Sequence, residues 1–212
     1  MRTHVIAASC SVTRWVHLII SAPVPDTNSP DVAALVLNEC MRAFRKQKTL
    51  GERALTQLGD DELFAMIDPE ANSIAVLVKH LHGNMRSRWT DFLTSDGEKA
   101  DRNRDNEFVI GPDERTRDVV LHWWEKGWSY LLDAVTALTS ADLQAKVAIR
   151  GEAMPAIAAI LRQVDHYGQH VGQIVLLAKH LKGDKWQNLS IPRGKSAEID
   201  AEWRRRASSK AP

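Results

Sequence analysis

The sequence predicts an all-α fold, an antiparallel four-helix bundle. Two observations carry this. Four long segments repeat their apolar residues at spacings of three and four, the period that gathers them on one helix face. No long segment shows the strict alternation of a half-buried strand. In such bundles, metal and cofactor sites are built from side chains on facing helices.

The first helix is expected to open near Asp31, where Ser29, Pro30 and Asp31 read as an N-cap, a first-turn proline and an acidic first turn. Its apolar residues run from Val32 to Leu58, Gly51 marks a candidate bend, and Gly59-Asp60 is the stop. The second helix is expected over 72–93, with Ile74, Leu77, Leu81, Met85, Trp89 and Phe92 on one face. A polar loop follows over 94–112. It holds the turn dipeptide Asp96-Gly97 and alternating charges from Asp101 to Glu107, expected to be solvated or paired with each other.

The third helix is expected over 113–138, carrying Trp123, Trp124 and Trp128. With Trp89 these suit a core stripe better than the wall of a pocket. Residues 143–150 read as a short strand or extended loop ending at Gly151. The fourth helix opens near Met154-Pro155 and closes at Gly183, with Lys179, His180 and Lys182 where cations suit the helix dipole. The domain then spans 31–183. Residues 1–30, with Pro23, Pro25 and Pro30, read as an irregular extension, and translation from upstream of the natural start is one reading of it. Residues 184–212 read as a polar tail with Trp186 and Trp203 as anchors.

Composition narrows the function. The 212 residues are 44% hydrophobic and 26% charged, with a net charge of +1. That balance gives no electrostatic footprint for nucleic acid or an anionic membrane. No run reaches the roughly 18–20 apolar residues of a transmembrane helix. His17 interrupts the apolar stretch over 15–24, and no clean signal cleavage site follows it. Two cysteines, Cys10 and Cys40, are no disulfide framework; free thiols and a cytoplasmic location are expected. No Gly-rich phosphate loop and no Ser-His-Asp set is visible.

The chemistry-bearing stretch is Asp165-His166-Tyr167-Gly168-Gln169-His170-Val171-Gly172-Gln173. A spacing of four puts His166 and His170 on one helix face, one turn apart, so both rings can reach one metal ion. The pair sits on the shoulder of the apolar face, which suits a site at the mouth or side of the bundle. Tyr167 stands where a zinc protease has its glutamate, so no protease follows. Two ligands do not complete a site, and a surface pair making ordinary hydrogen bonds is the plain alternative. A third ligand would come from His80 or His82, which point in different directions, or from His122. Periodicity does not choose among them. Gln173 and Asp165 are candidates to orient the rings. Arg86 and Arg88 suit a salt-bridged helix face better than an anion clamp.

Two runs, Asn72-Ser73-Ile74-Ala75-Val76-Leu77-Val78-Lys79-His80-Leu81 and His166-Tyr167-Gly168-Gln169-His170-Val171-Gly172-Gln173-Ile174, resemble the histidine segments of the DinB-like superfamily. The segments 84–93 and 101–105 resemble a bacterial branch of it with unknown function. The resemblance covers about 36–182. It implies a four-helix bundle, one divalent metal ion on His80, His166 and His170, and frequent homodimers; nickel, zinc, iron and manganese all suit such a site. It also implies a metal-dependent enzyme acting on a small-molecule substrate, a thiol S-transferase using a low-molecular-weight thiol or a hydrolase. The alternatives are a non-catalytic metal-binding or stress-response protein, or a helical interaction protein.

Overall fold

The computed structural model describes residues 31–209; the expected extension over 1–30, and Cys10 with it, lies outside them. The described chain is mostly helical, with one two-stranded sheet. Helix α1 (Val32–Leu55) begins at Asp31, whose carboxylate accepts from the Ala34 amide. The cap is therefore Asp31 rather than Ser29. Helix α1 continues without a break through Gly51, whose missing Cβ makes room for the Trp124 ring.

Helix α2 (Ile74–Trp89) is capped by Ser73 and buried on nearly every side. It stops four residues short of the expected end. Thr90 turns to extended backbone, and Asp91 takes a φ of 49°. The chain thereby doubles back, so that Gly97 O accepts from the Ser87 hydroxyl at 2.8 Å and from the Arg88 guanidinium. Helix α3 (Arg117–Thr136) begins later than expected, because Pro112–Glu114 form a separate single turn. That turn is tied to α2 by buried Lys79, whose ammonium donates to Glu114 and to Val109 O.

The ambiguous stretch is an antiparallel hairpin of β1 (Lys146–Ile149) and β2 (Glu152–Pro155). Its two turn residues, Arg150 and Gly151, have φ of 57° and 77°, as a tight two-residue hairpin turn requires. The Asp96 carboxylate accepts both turn amides, at 2.9 and 2.7 Å, so the 94–112 loop and the hairpin hold each other.

Helix α4 (Ala156–Lys182) follows directly, with Pro155 as its cap residue. Helices α2 and α3 pack together, as do α1 and α4, and α2–α4 and α1–α3 contacts close the set around one core. Trp89, Trp124 and Trp128 are buried in that core with Phe44 and Tyr167. Trp123 is half-buried beneath the Lys79 ammonium. Cys40 is buried and free. The expected tail contains a further helix, α5 (Ser196–Ser208), with no buried residue. Trp186 packs against the core, but Trp203 is exposed and anchors nothing. No helix among the described residues is long and apolar enough to cross a membrane.

Candidate metal centre

Helix α4 presents His166 and His170 one turn apart, and α2 presents His80 across from them. One ring nitrogen from each lies within 4.8 Å of the other two. Among the described residues this is the one set of His, Cys, Asp or Glu side chains so gathered. The structure thus separates the three candidates that spacing left open. His82, two residues from His80, leans toward Tyr130 on α3, and its buried Nδ1 has no partner among the described residues. His122 lies on α3 and is not part of the gathered set.

Each of the three rings has its Nδ1 beside an oxygen acceptor. His80 Nδ1 donates to Glu107 Oε2 at 2.8 Å, His170 Nδ1 to Gln173 Oε1 at 2.8 Å, and His166 Nδ1 faces Gln163 Oε1 at 3.4 Å. A carboxylate only accepts, so Nδ1 of His80 is the donor, and the tautomer this selects for a metal-binding ring presents Nε2. The glutamine oxygens select the same tautomer on α4. In that tautomer the Nε2 lone pairs of His166 and His170 face each other at 3.1 Å. A cation resolves that opposition. Two nitrogens 3.1 Å apart, each about 2.05 Å from one ion, subtend about 98° there, between octahedral and tetrahedral values. The donor set and its geometry therefore fit a divalent ion. Asp165, the other expected orienting residue, instead accepts from Gln169.

The residue that sequence reading missed is Glu107. It comes from the loop whose charges are expected to be solvated or paired with each other; it is paired with Arg102 and only 6% exposed, and its role beside His80 is what the sequence did not show. Arg102 grips it with two bonds, Nε to Oε1 at 2.7 Å and Nη2 to Oε2 at 2.8 Å, and the Arg102 side chain is itself 2% exposed. Burial would raise the Glu107 carboxyl, but the His80 and Arg102 bonds together outweigh it and hold the acid below its ordinary range. Gly83, one turn beyond His80, is where the carboxylate lies against α2; a Cβ there would sit 2.6 Å from Glu107 Cδ. A glycine inside a helix costs about 1 kcal/mol relative to alanine, and this one makes room for the group that orients His80.

On the buried side of α4, Tyr167 OH accepts from the Trp89 indole at 3.0 Å and donates to Asn84 Oδ1 at 3.0 Å. That chain fixes the rotation of α4, and with it the direction of His166. Burial pushes the Tyr167 phenol up, out of reach as an acid. The three histidines open onto a cavity of about 470 Å³. No tryptophan lines it; Arg88, paired with Glu98 as a salt-bridged face implies, also lines it.

The family model described as protein of unknown function (DUF1572) matches residues 31–195. The chain belongs to that family. No curated protein matches it. In this DUF1572 chain the matched span holds all three histidines together with Gly83, Arg102 and Glu107.

The ring environments set a pH dependence. Burial, with His170 and His80 alongside, pushes His166 down to about 3; burial likewise lowers His170 and His82. Between an unfolded value near 6.5 and these lowered values, the unfolded chain binds protons that the folded chain refuses. The contribution of these histidines to the stability of the metal-free protein is therefore full above about pH 6.5 and falls as pH drops below it. The slope is at most about 1.4 kcal/mol per pH unit for each such histidine, reduced by solvent screening at these half-exposed rings. Urea midpoints of metal-stripped protein at pH 7 and pH 5 check this: a lower midpoint at pH 5 is expected, and an equal or higher one would contradict it.

Proposed function

We propose that this protein is a metal-dependent enzyme of the DinB-like kind, an antiparallel four-helix bundle that holds one divalent ion on His80, His166 and His170. The observation carrying this reading is the convergence of three imidazoles, one ring nitrogen of each within 4.8 Å of the other two, whose Nδ1 atoms all face acceptors and so leave Nε2 for a metal. Three protein ligands leave coordination positions open, as catalytic sites do and closed structural sites do not. A divalent ion held there supplies a lowered pKa to a bound thiol or water.

The chain's own residues supply the rest. Glu107 fixes the His80 tautomer, and Gln173 and Gln163 do the same on α4. Phe108 stacks on His80, with ring centroids 5.0 Å apart, and shields that edge of the site. The cavity provides room for a small-molecule substrate beside the open positions. A thiol S-transferase is the reaction class favoured here, with hydrolysis as the alternative outcome of a thiol attacking group being replaced by water.

The test is metal analysis of purified protein by mass spectrometry, before and after incubation with nickel, zinc, iron and manganese salts. About one ion per chain is expected. No uptake of any of the four would end this reading and shift the weight to a helical interaction protein. Uptake without turnover across thiol-conjugation and hydrolysis panels would favour a non-catalytic metal-binding protein.

A further inference from the structure

The cavity beside the three histidines carries a charge pattern that the metal reading does not use. Five arginines line it, against one lining carboxylate, Asp165. Three of them are engaged. Arg102 holds Glu107 and Glu98, and Arg88 and Arg150 both reach Glu98, at 3.1 and 3.0 Å. Arg104 and Arg162 have no carboxylate partner among the described residues. Even counting Glu98 and Glu107 with Asp165, five guanidinium groups face three carboxylates. The excess is positive before any metal is added, in a chain whose net charge is only +1. Such a concentration in a walled cavity attracts and orients anions.

The two unpaired arginines are placed, not merely present. Arg104 lies over the Phe108 ring at 5.2 Å, and Phe108 in turn stacks on His80, so the guanidinium is held at the edge of the metal centre. Arg162, His166 and His170 recur every four residues along α4 and share one face. One such step rises about 6 Å along the axis. Asn84 adds a third contact: it is 4% exposed, it lines the cavity, its Oδ1 is taken by Tyr167, and its amide nitrogen has no partner among the described residues.

We infer that the cavity selects a small organic dianion: one anionic group at the open side of the three histidines, and a second, about 6 Å away, between Arg104 and Arg162. The second group is a carboxylate or a phosphate-type head, since the guanidinium fork pairs with either. The inference rests on the reading of this cavity as the functional site and names its substrate class.

The experiment is isothermal titration of the zinc-incubated protein with succinate, 3-phosphonopropionate and the neutral isostere succinamide, with metal content measured on every sample. Wild-type protein is expected to bind at least one of the two dianions at least tenfold more tightly than succinamide; which one is tighter identifies the head group. Arg162→Gln and Arg104→Gln, both at exposed positions, are each expected to weaken that binding at least tenfold with metal content unchanged. Equal affinity for succinamide, or undiminished binding in both arginine variants, overturns the inference. Dianion binding that depends on the arginines in protein without metal sustains it while removing the metal reading. Metal uptake with no dianion binding does the reverse.

Discussion

Replacing His80 or His166 with alanine is expected to abolish tight uptake of the divalent ion, while His82→Ala is expected to leave it intact. Loss of a residue that merely orients a ligand costs roughly 10–100-fold in affinity, and loss of the ligand itself should cost more. The control is sharp because His80 and His82 lie on the same helix two residues apart, yet only His80 faces α4. Stability separates the variants further. His80 is 4% exposed and bonded to Glu107, so its removal leaves a buried acceptor short of a donor, at about 1–3 kcal/mol. His166 lies at the cavity wall, disfavoured as a cation by burial and opposed by His170. Its removal from the metal-free protein should change stability by no more than about 0.5 kcal/mol, in the range of an ordinary surface substitution. Metal analysis and urea denaturation with and without zinc read both effects. Zinc retained by His166→Ala, or lost equally by His82→Ala, would contradict the assignment.

How much of this site is legible in the sequence follows from where each residue sits. His166 and His170 share one helix, so their spacing alone places them side by side. His80 cannot be told from His82 by periodicity, because α2 is buried on nearly every side and offers no clean solvent face to count from; only the family resemblance points to it. Glu107 lies 27 residues from the ring it orients, in a loop whose alternating charges read as solvated or paired with each other, which explains its bond to Arg102 but not the one to His80. The one local hint is Gly83, an unexplained glycine inside a helix one turn from His80. The premature end of α2 has the same origin. The apolar pattern continues to Phe92, but the chain turns at Thr90 to bring Gly97 back onto Ser87 and Arg88. Helix α5 was unreadable for the opposite reason: it buries nothing, so it leaves no pattern, and pairs such as Glu202–Arg206 lie on its own surface.

Glu107→Ala is expected to be the most damaging change outside the three histidines, and to act in two separable ways. The first is on the metal. Without the carboxylate, nothing holds the His80 proton on Nδ1 or fixes the ring's angle, and affinity for zinc should fall roughly 10–100-fold. The second is on the fold. Arg102, almost wholly buried, loses its two-bond partner and keeps only the Glu98 contacts near 3.2 Å. Breaking a buried ion pair from one side costs about 3–5 kcal/mol, and the surviving Glu98 contact places this case toward the lower end. Glu107→Gln keeps the size and an oxygen for His80, but sets an amide N–H against the Arg102 donors, so a smaller loss of the same kind is expected. Gly83→Ala distinguishes orientation from charge. It removes no polar atom, yet its methyl would meet Glu107 Cδ at 2.6 Å and Cγ at 3.1 Å, and the carboxylate, gripped by both Arg102 and His80, has no free direction in which to yield. Zinc affinity should therefore fall in Gly83→Ala even though every ligand and every charge remains. Calorimetric zinc titration, paired with denaturation of the metal-free proteins, checks all three variants. Wild-type affinity in Glu107→Ala would mean that the His80 ring is held by packing against Phe108 alone, and that the Arg102–Glu107 pair serves the loop rather than the metal.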